Sequence, residues 1–449
     1  MRFFRFRDRA ATPRPHDAEP AADEAADEGE AAGVADDAEI DDPSAYAGHD
    51  TDEETAWRER AALVIPGGAS TGSKRPAALY GEGGKGPAHY LRASGCEIVT
   101  VSGVTLVDCT MALGAVALGY ADETVGRRVI DAVSAGSVSG LSHTLEVEVA
   151  ERLCDVIPCA EQVRFLKTGA EAVAAAVRIA RTATGRSRVI GSGYFGWLDW
   201  WTDAPGVPIA ARSHYTAVPF GDVGALERAA EAAGDDLAAV IVEPVVERLP
   251  DQAWLAAARA VCDRRGAVLV FDEIKTGFRV HAGGYMAVGG VLPDLATFGK
   301  AMANGFPLAA VVGRAEVMEA AGRTWISSTL AGEATALAAA SAVLDWHEER
   351  DVCGDLAAVG DQMRALVGSA VERSGVAGVE LAGISPMWFL RWESAARQTR
   401  FQELALAHGV LFKRGAYNFA SLAHDERALA AIERAASSAL VELREEEEA

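Results

Sequence analysis

Residues 267–279 read AVLVFDEIKTGFR, and residues 294–307 read DLATFGKAMANGFP. Each begins as a short apolar run, too short for a buried helix, and meets an ionisable side chain at its end: Asp272 in the first, Lys300 in the second. Runs of the same kind recur outward from this pair, at residues 163–166, 188–192, 238–244 and 308–313. Helical stretches such as LEVEVAERLCDV (145–156) separate them. Continuous Val/Ile/Leu strands alternating with helices predict an α/β fold with a mainly parallel sheet, covered on both faces. Residues 96–109, CEIVTVSGVTLVDC, are β-branched and broken by Ser-Gly, which predicts a hairpin. From about Ala340 the chain is helix-rich. A second, smaller α+β domain accounts for it, sharing its sheet with the residues near Cys96.

In such sheets ligands sit beyond the carboxyl ends of the strands, and polar residues of this chain collect there. Lys167, Thr168, Gly169 and Ala170 follow the first strand and open a helix. This is an anion site if its free N–H groups meet a ligand, and otherwise an ordinary strand–turn–helix junction. Asp272, at the end of an apolar strand, needs a partner or a place in a site. With Lys300 it forms either a buried ion pair or a catalytic pair.

The colinear order of motifs decides between these. The chain carries TGAEAV (168–173), YFGW (194–197), VEP (242–244), DEIKTGFR (272–279), TFGKAMANGFP (297–307) and STLAGEA (328–334). From about residue 57 onward it resembles the class III family of pyridoxal phosphate (PLP)-dependent aminotransferases, of PLP fold type I. IPGGASTGSK (65–74) and SLAHDE (421–426) make it most similar to the glutamate-1-semialdehyde aminomutase-like members. The resemblance implies that Lys300 carries PLP as a Schiff base and shuttles the proton at the substrate carbon. A lysine held near a cationic cofactor and partly desolvated has a lowered pKa suited to both tasks. It implies that Asp272 pairs with the pyridine nitrogen and keeps it protonated, so that the ring serves as electron sink. Tyr194 and Ile274 would lie on the two ring faces, with plain core packing as the alternative for each. Thr168, Gly169 and Ala170 would hold the phosphate, and Glu243 would lie beside the cofactor. Thr329 would complete the phosphate site from a neighbouring subunit, giving a homodimer with shared active sites; the alternative is that Ser327, Ser328 and Thr329 merely cap the following helix.

Some positions depart from the family pattern. Ala170 stands where a hydroxyl residue is usual, and Phe195 where the family has His. Lys74, followed by Arg75, stands where the aminomutase uses Arg for a substrate carboxylate, and Lys cannot form the planar bidentate contact. KRGAYNFASLAH (413–424) lacks the acidic residue found there in the mutase. These differences favour an aminotransferase acting between an amine or amino acid and another aldehyde or keto compound, in a specialised biosynthetic role. Intramolecular amino transfer by an aminomutase is the alternative, and a non-catalytic PLP-fold binding protein a minor one that the Asp272–Lys300 pair argues against.

Composition bounds the rest. The chain has 449 residues, 50% hydrophobic, and a formal net charge of −23. Residues 17–54 hold 16 acidic side chains and no Lys or Arg, leaving about −7 for the remainder. A mildly acidic globular part makes nucleic acid and anionic membranes poor partners. The start, MRFFRFRDRA, lacks the apolar stretch of a signal, no run of 18 apolar residues occurs, and the six scattered cysteines fit reduced thiols in a cytoplasmic protein rather than a metal site. The expected organisation is a disordered acidic tail (1–55), a small domain built from 56–115 and 344–449, and a large PLP-binding domain (116–343).

Overall fold

Apolar runs of four to six residues between turns supply most of the strands, and the strands assemble into three sheets. The computed structural model describes residues 51–83 and 85–449. In chain order the strands are β1 (Tyr90–Ser94), β2 (Glu97–Thr100), β3 (Thr105–Asp108), β4 (Gln162–Leu166), β5 (Arg188–Ser192), β6 (Tyr215–Ala217) and β7 (Leu237–Val242). They continue as β8 (Val268–Asp272), β9 (Leu295–Phe298), β10 (Ala309–Gly313), β11 (Val379–Ile384), β12 (Met387–Trp392), β13 (Val410–Leu411) and β14 (Asn418–Phe419).

The central sheet has the order β4-β10-β9-β8-β7-β5-β6. Its pairings are parallel except at β10, which runs antiparallel to both neighbours. The sheet is therefore mainly parallel, as the sequence predicts, with one reversed strand. Every residue of β7 and β8 is buried. Their side chains divide by the pleat, with Val240, Val242, Leu269 and Phe271 in the core on one face. Ala239, Ile241, Val268 and Val270 pack on the other face, with the helix Gly169–Thr184. A strand with two dry faces has no polar side to show, which is why these runs read as continuous rather than alternating.

The predicted hairpin is present, with β2 antiparallel to β3. The late strand β13 joins it in parallel, pairing Val410 with Val107, so segments on either side of the central sheet in sequence share a sheet. They share a core as well: Cys96, Val107, Cys109 and Met111 pack with Phe401, Phe412, Phe419, Ile432 and Leu440. The expected tail (1–55) lies almost wholly outside the described residues. Its last positions form the cap and first turn of the helix Asp52–Val64, where Thr51 Oγ1 accepts from the Glu54 N–H. Glu54 is buried and accepts from Ser102 Oγ at 2.9 Å. The helix Ala334–Glu349 runs through the expected boundary at 343/344.

One side chain ties these parts together. Arg279, in the turn after β8, is fully buried. It donates to the carbonyls of Ala420 at 2.7 Å, Gly114 at 3.2 Å, Val116 at 3.3 Å and Pro386 at 3.4 Å. Its guanidinium also lies 4.9 Å from the centre of the Phe419 ring. Among the described residues no carboxylate pairs with it, and burial lowers its pKa to about 10. Arg279→Met should lower unfolding stability by about 3–5 kcal/mol, since several buried carbonyls would lose their donor at about 1–3 kcal/mol each. Denaturant unfolding checks this, and a change below about 1 kcal/mol would contradict the clamp.

Candidate active site

The carboxyl edge of the central sheet gathers most of the residues named from the sequence. Asp272 ends β8 and is buried. Its pleat position, two beyond Val270, directs it to the face that carries the helix Gly169–Thr184. Oδ1 accepts from the Ile274 N–H at 3.1 Å and from Thr297 Oγ1 at 3.1 Å. Among the described residues nothing donates to Oδ2, which leaves one carboxylate oxygen for a ligand. Burial first, then the Glu243 carboxylate, push the Asp272 pKa up to about 7.

Lys300 follows β9 and opens the short 3-10 turn Lys300–Ala303. Its φ of 48° is a left-handed conformation that a non-glycine residue adopts at a cost of about 1–3 kcal/mol, and such residues cluster at active sites. Burial and the Lys275 ammonium lower its pKa to about 8, against the opposing pull of Glu243 and Asp272. An amine with that pKa is partly neutral at physiological pH and is a competent nucleophile and base.

The turn before the helix Gly169–Thr184 is a capping box. Thr168 Oγ1 accepts from the Glu171 N–H, and Glu171 Oε2 accepts from the Thr168 N–H at 2.9 Å and the Lys167 N–H at 3.1 Å. The Thr168 groups are thus engaged by Glu171. The N–H groups of Gly169 and Ala170, among the described residues, meet no acceptor and point from a helix N-terminus, as an anion site requires. Ile274 packs against this turn, its side chain about 3.2 Å from where a Gly169 β-carbon would sit. Gly196 makes the closest approach: a β-carbon there would stand 2.4 Å from Ala170 Cβ, at a φ of 82°. Only glycine lets the 194–197 loop lie against the turn.

Glu243, just past β7, accepts from the Tyr194 N–H at 2.8 Å and pairs with Lys275 Nζ at 2.9 Å. Tyr194 is 66% exposed as a residue, its ring edge-on to Trp201 at 5.6 Å, and so is free to cover a ligand. Phe195 turns the opposite way. It is buried against Trp200, Trp201 and Tyr215, so the residue in the family's His position is a core aromatic here. Thr329 lies on an exposed loop and, among the described residues, makes no hydrogen bond to Lys300 or the 168–170 turn. It borders a groove of about 420 Å³ with Gly136–His143 and Leu166. The helix after it is capped by Glu333, which accepts from the Thr335 and Ala336 N–H groups and pairs with Lys167 at 2.7 Å. Capping is therefore not the task of Ser327, Ser328 or Thr329.

Sequence reasoning did not assign Lys275 or Tyr417. Tyr417, 142 residues from Lys275, has its hydroxyl 3.4 Å from Lys275 Nζ. That hydroxyl donates to the Val246 carbonyl at 2.7 Å. Both residues stand inside the quoted motifs, but spacing carries no signal for a contact across so much chain.

The raised pKa of Asp272 has a consequence for the ligand-free chain. An unfolded Asp titrates near 4, and the folded one near 7. The folded state therefore holds the extra proton between those values, so this group's contribution to stability falls as pH rises through that window and is level above it. Asp272→Asn should make the ligand-free protein more stable than the parent at pH 8, with the gain shrinking toward pH 4. Equal stabilities at pH 8 in thermal unfolding would show that burial does not burden this carboxylate.

Comparison with known proteins agrees with this geometry. The family described as aminotransferase class-III matches residues 80–196 and 208–423. A 2'-deamino-2'-hydroxyneamine transaminase of Streptomyces kanamyceticus is 36% identical over 74% of this chain and 86% of its own length. A glutamate-1-semialdehyde 2,1-aminomutase of Polynucleobacter necessarius is 31% identical over 87% of this chain and 99% of its own. The PLP internal aldimine form of the FumI protein of Sphingopyxis sp. MTA144 superposes with a TM-score of 0.84 at 26% identity, covering 88% of this chain and 98% of that one. Family match, relatives and fold agree on one assignment: the chain belongs to the class III, PLP-dependent aminotransferases of fold type I.

Proposed function

We propose that this enzyme is an aminotransferase that moves an amino group between an amine or amino acid and an aldehyde or keto substrate, with Lys300 and Asp272 as its catalytic residues. The observation that carries the assignment is the meeting, at one sheet edge, of a buried carboxylate with an open oxygen and a lysine whose pKa is lowered to about 8. The residues fit the cofactor. Lys300 offers the amine, Asp272 Oδ2 an acceptor for the pyridine nitrogen, and Gly169 and Ala170 N–H groups for the phosphate, with the Thr168 hydroxyl beside them. Ile274 and Tyr194 would flank the ring, and Glu243 would stand at its edge. When bound, PLP supplies an electron sink for the carbanion at the substrate carbon. Asp272 would support this by holding a proton on the ring nitrogen, and Lys300 would move the proton at the substrate carbon.

Lys74 is exposed, and no acidic residue stands in 413–424. Both support a substrate other than glutamate semialdehyde and transfer between two molecules. Intramolecular transfer is the second reading, supported by the near full-length match to an aminomutase. The reading includes a homodimer in which Thr329 reaches the neighbour's phosphate. Trp325, Leu141, Val138 and Leu330 support it as exposed apolar residues on or next to the groove that Thr329 borders. It also includes a cytoplasmic location, supported by six free cysteines. Among the described residues no helix is long and apolar enough to cross a membrane.

Adding candidate amines singly and following the cofactor absorbance tests transfer directly: an aminotransferase halts in the amino form of the cofactor and releases a keto product. Lys300→Ala should lose at least about 10²–10⁴-fold in turnover, and full activity would refute the assignment. Thr329→Ala should weaken PLP binding while leaving fold stability nearly unchanged, and PLP should shift dimer dissociation by linkage. Unchanged affinity, with the same dissociation in loaded and empty protein, would remove Thr329 from the site.

A further inference from the structure

Lys275 is among the charged groups that act on the reacting lysine, and neither sequence reasoning nor the catalytic pair accounts for it. Lys275 is nearly buried, with 11% of its side chain exposed. Its ammonium pairs with Glu243 Oε1 at 2.9 Å, lies 3.4 Å from the Tyr417 hydroxyl and stands 4.8 Å from the centre of the Tyr417 ring. Two parts of the chain outside its own turn hold it: the end of β7 through Glu243, and the loop before β14 through Tyr417. A cation fixed by a carboxylate, a hydroxyl and a ring face has little freedom to leave.

We propose that Lys275 is a positioning residue for Lys300: held by Glu243 and Tyr417, its ammonium supplies a fixed positive charge beside the reacting amine and occupies the Glu243 carboxylate, which would otherwise serve Lys300 as a counter-ion. The inference rests on Lys300 being the reacting lysine. The charged groups that act on Lys300 are Lys275, Glu243, Asp272 and Arg279. Two are cations and two are carboxylates, and the Lys275–Glu243 pair neutralises one of each. Removing Lys275 would remove a repulsive neighbour and free an attractive one, and both changes stabilise the protonated amine. The same freed carboxylate would bear on Asp272, where Glu243 already opposes ionisation. One ion pair thus bears, after burial, on the charge state of both members of the catalytic pair. Burial keeps the effect from being screened by salt.

The test reads a titration rather than a rate alone. The second-order rate of PLP uptake by the ligand-free full-length protein is measured against pH, because only the neutral amine reacts. The absorbance of the loaded enzyme is titrated in parallel, and borohydride reduction with peptide mapping identifies the lysine that holds the cofactor. Lys275→Gln keeps hydrogen bonds to Glu243 and Tyr417 but loses the charge. Its uptake midpoint should rise by about one pH unit, which slows uptake at pH 7 by about tenfold. Lys275→Met should shift the same way, keeping the proposal testable if either variant folds poorly. Lys275→Arg should stay within a few tenths of a unit of the parent. A purely structural lysine would change stability and leave the midpoint in place. Coincident curves for parent and Lys275→Gln overturn the proposal, as does an Arg variant that behaves like the Gln variant. Cofactor trapped on a lysine other than Lys300 overturns it together with the site assignment, whereas trapping on Lys300 with coincident curves overturns it alone.

Discussion

An ionisable carboxylate at the end of a strand buried on both faces is the constraint around which this structure is arranged. Asp272 follows Val268, Leu269, Val270 and Phe271 with no polar residue between, and Glu273 beside it is fully buried. Burying a charge without compensation costs several kcal/mol, and the two carboxylates meet that cost differently. Glu273 has both oxygens engaged within the protein, taking the Tyr285 N–H at 2.8 Å, the Met286 N–H at 3.0 Å and the Thr276 hydroxyl. It fixes the path of the following turn. Asp272 keeps one oxygen unused. The difference separates a structural acid from one held ready for a cationic ligand, although burial drives both toward a pKa of about 7.

The neighbouring groups follow from that placement. Glu243 adds to the burden on Asp272 even while paired with Lys275, and the Tyr194 backbone N–H fills its other oxygen. Gly196 and Ile274 bring the aromatic loop and the strand-end turn against the helix whose first N–H groups remain open. The sheet edge therefore presents a cation-seeking spot, an anion-seeking spot and a reactive amine in fixed relation.

The sequence displays much of this because buried strands are continuous apolar runs, and a charged residue at the end of one stands out. Asp272 and Lys300 stand out for that reason, the 168–170 turn shows only as a glycine-bearing junction before a helix, and Glu243 follows only from the family resemblance. Strand direction was not readable, since an apolar run looks the same either way, and β10 is reversed. The edge strand β6 escaped as well: it has three residues and two are exposed, so it leaves no apolar run. Within the site, the legible residues are those whose role is set by neighbours in sequence. Lys275 has its role set by Tyr417, which belongs to the other end of the chain, and Phe195 could be seen to replace a His but not to face the core.

Arg279 bears on how a substrate enters. Its hydrogen bonds reach backbone at Gly114, Val116, Pro386 and Ala420 from a turn that begins at the catalytic strand. A hinge opening between the central sheet and the terminal segments would have to pull a buried guanidinium from four carbonyls at once. The clamp thus opposes such a motion, while the loop carrying the exposed Tyr194 and Trp197 lies outside it. Substrate range in this enzyme should accordingly evolve by exchange of loop residues, with the frame beneath them left alone.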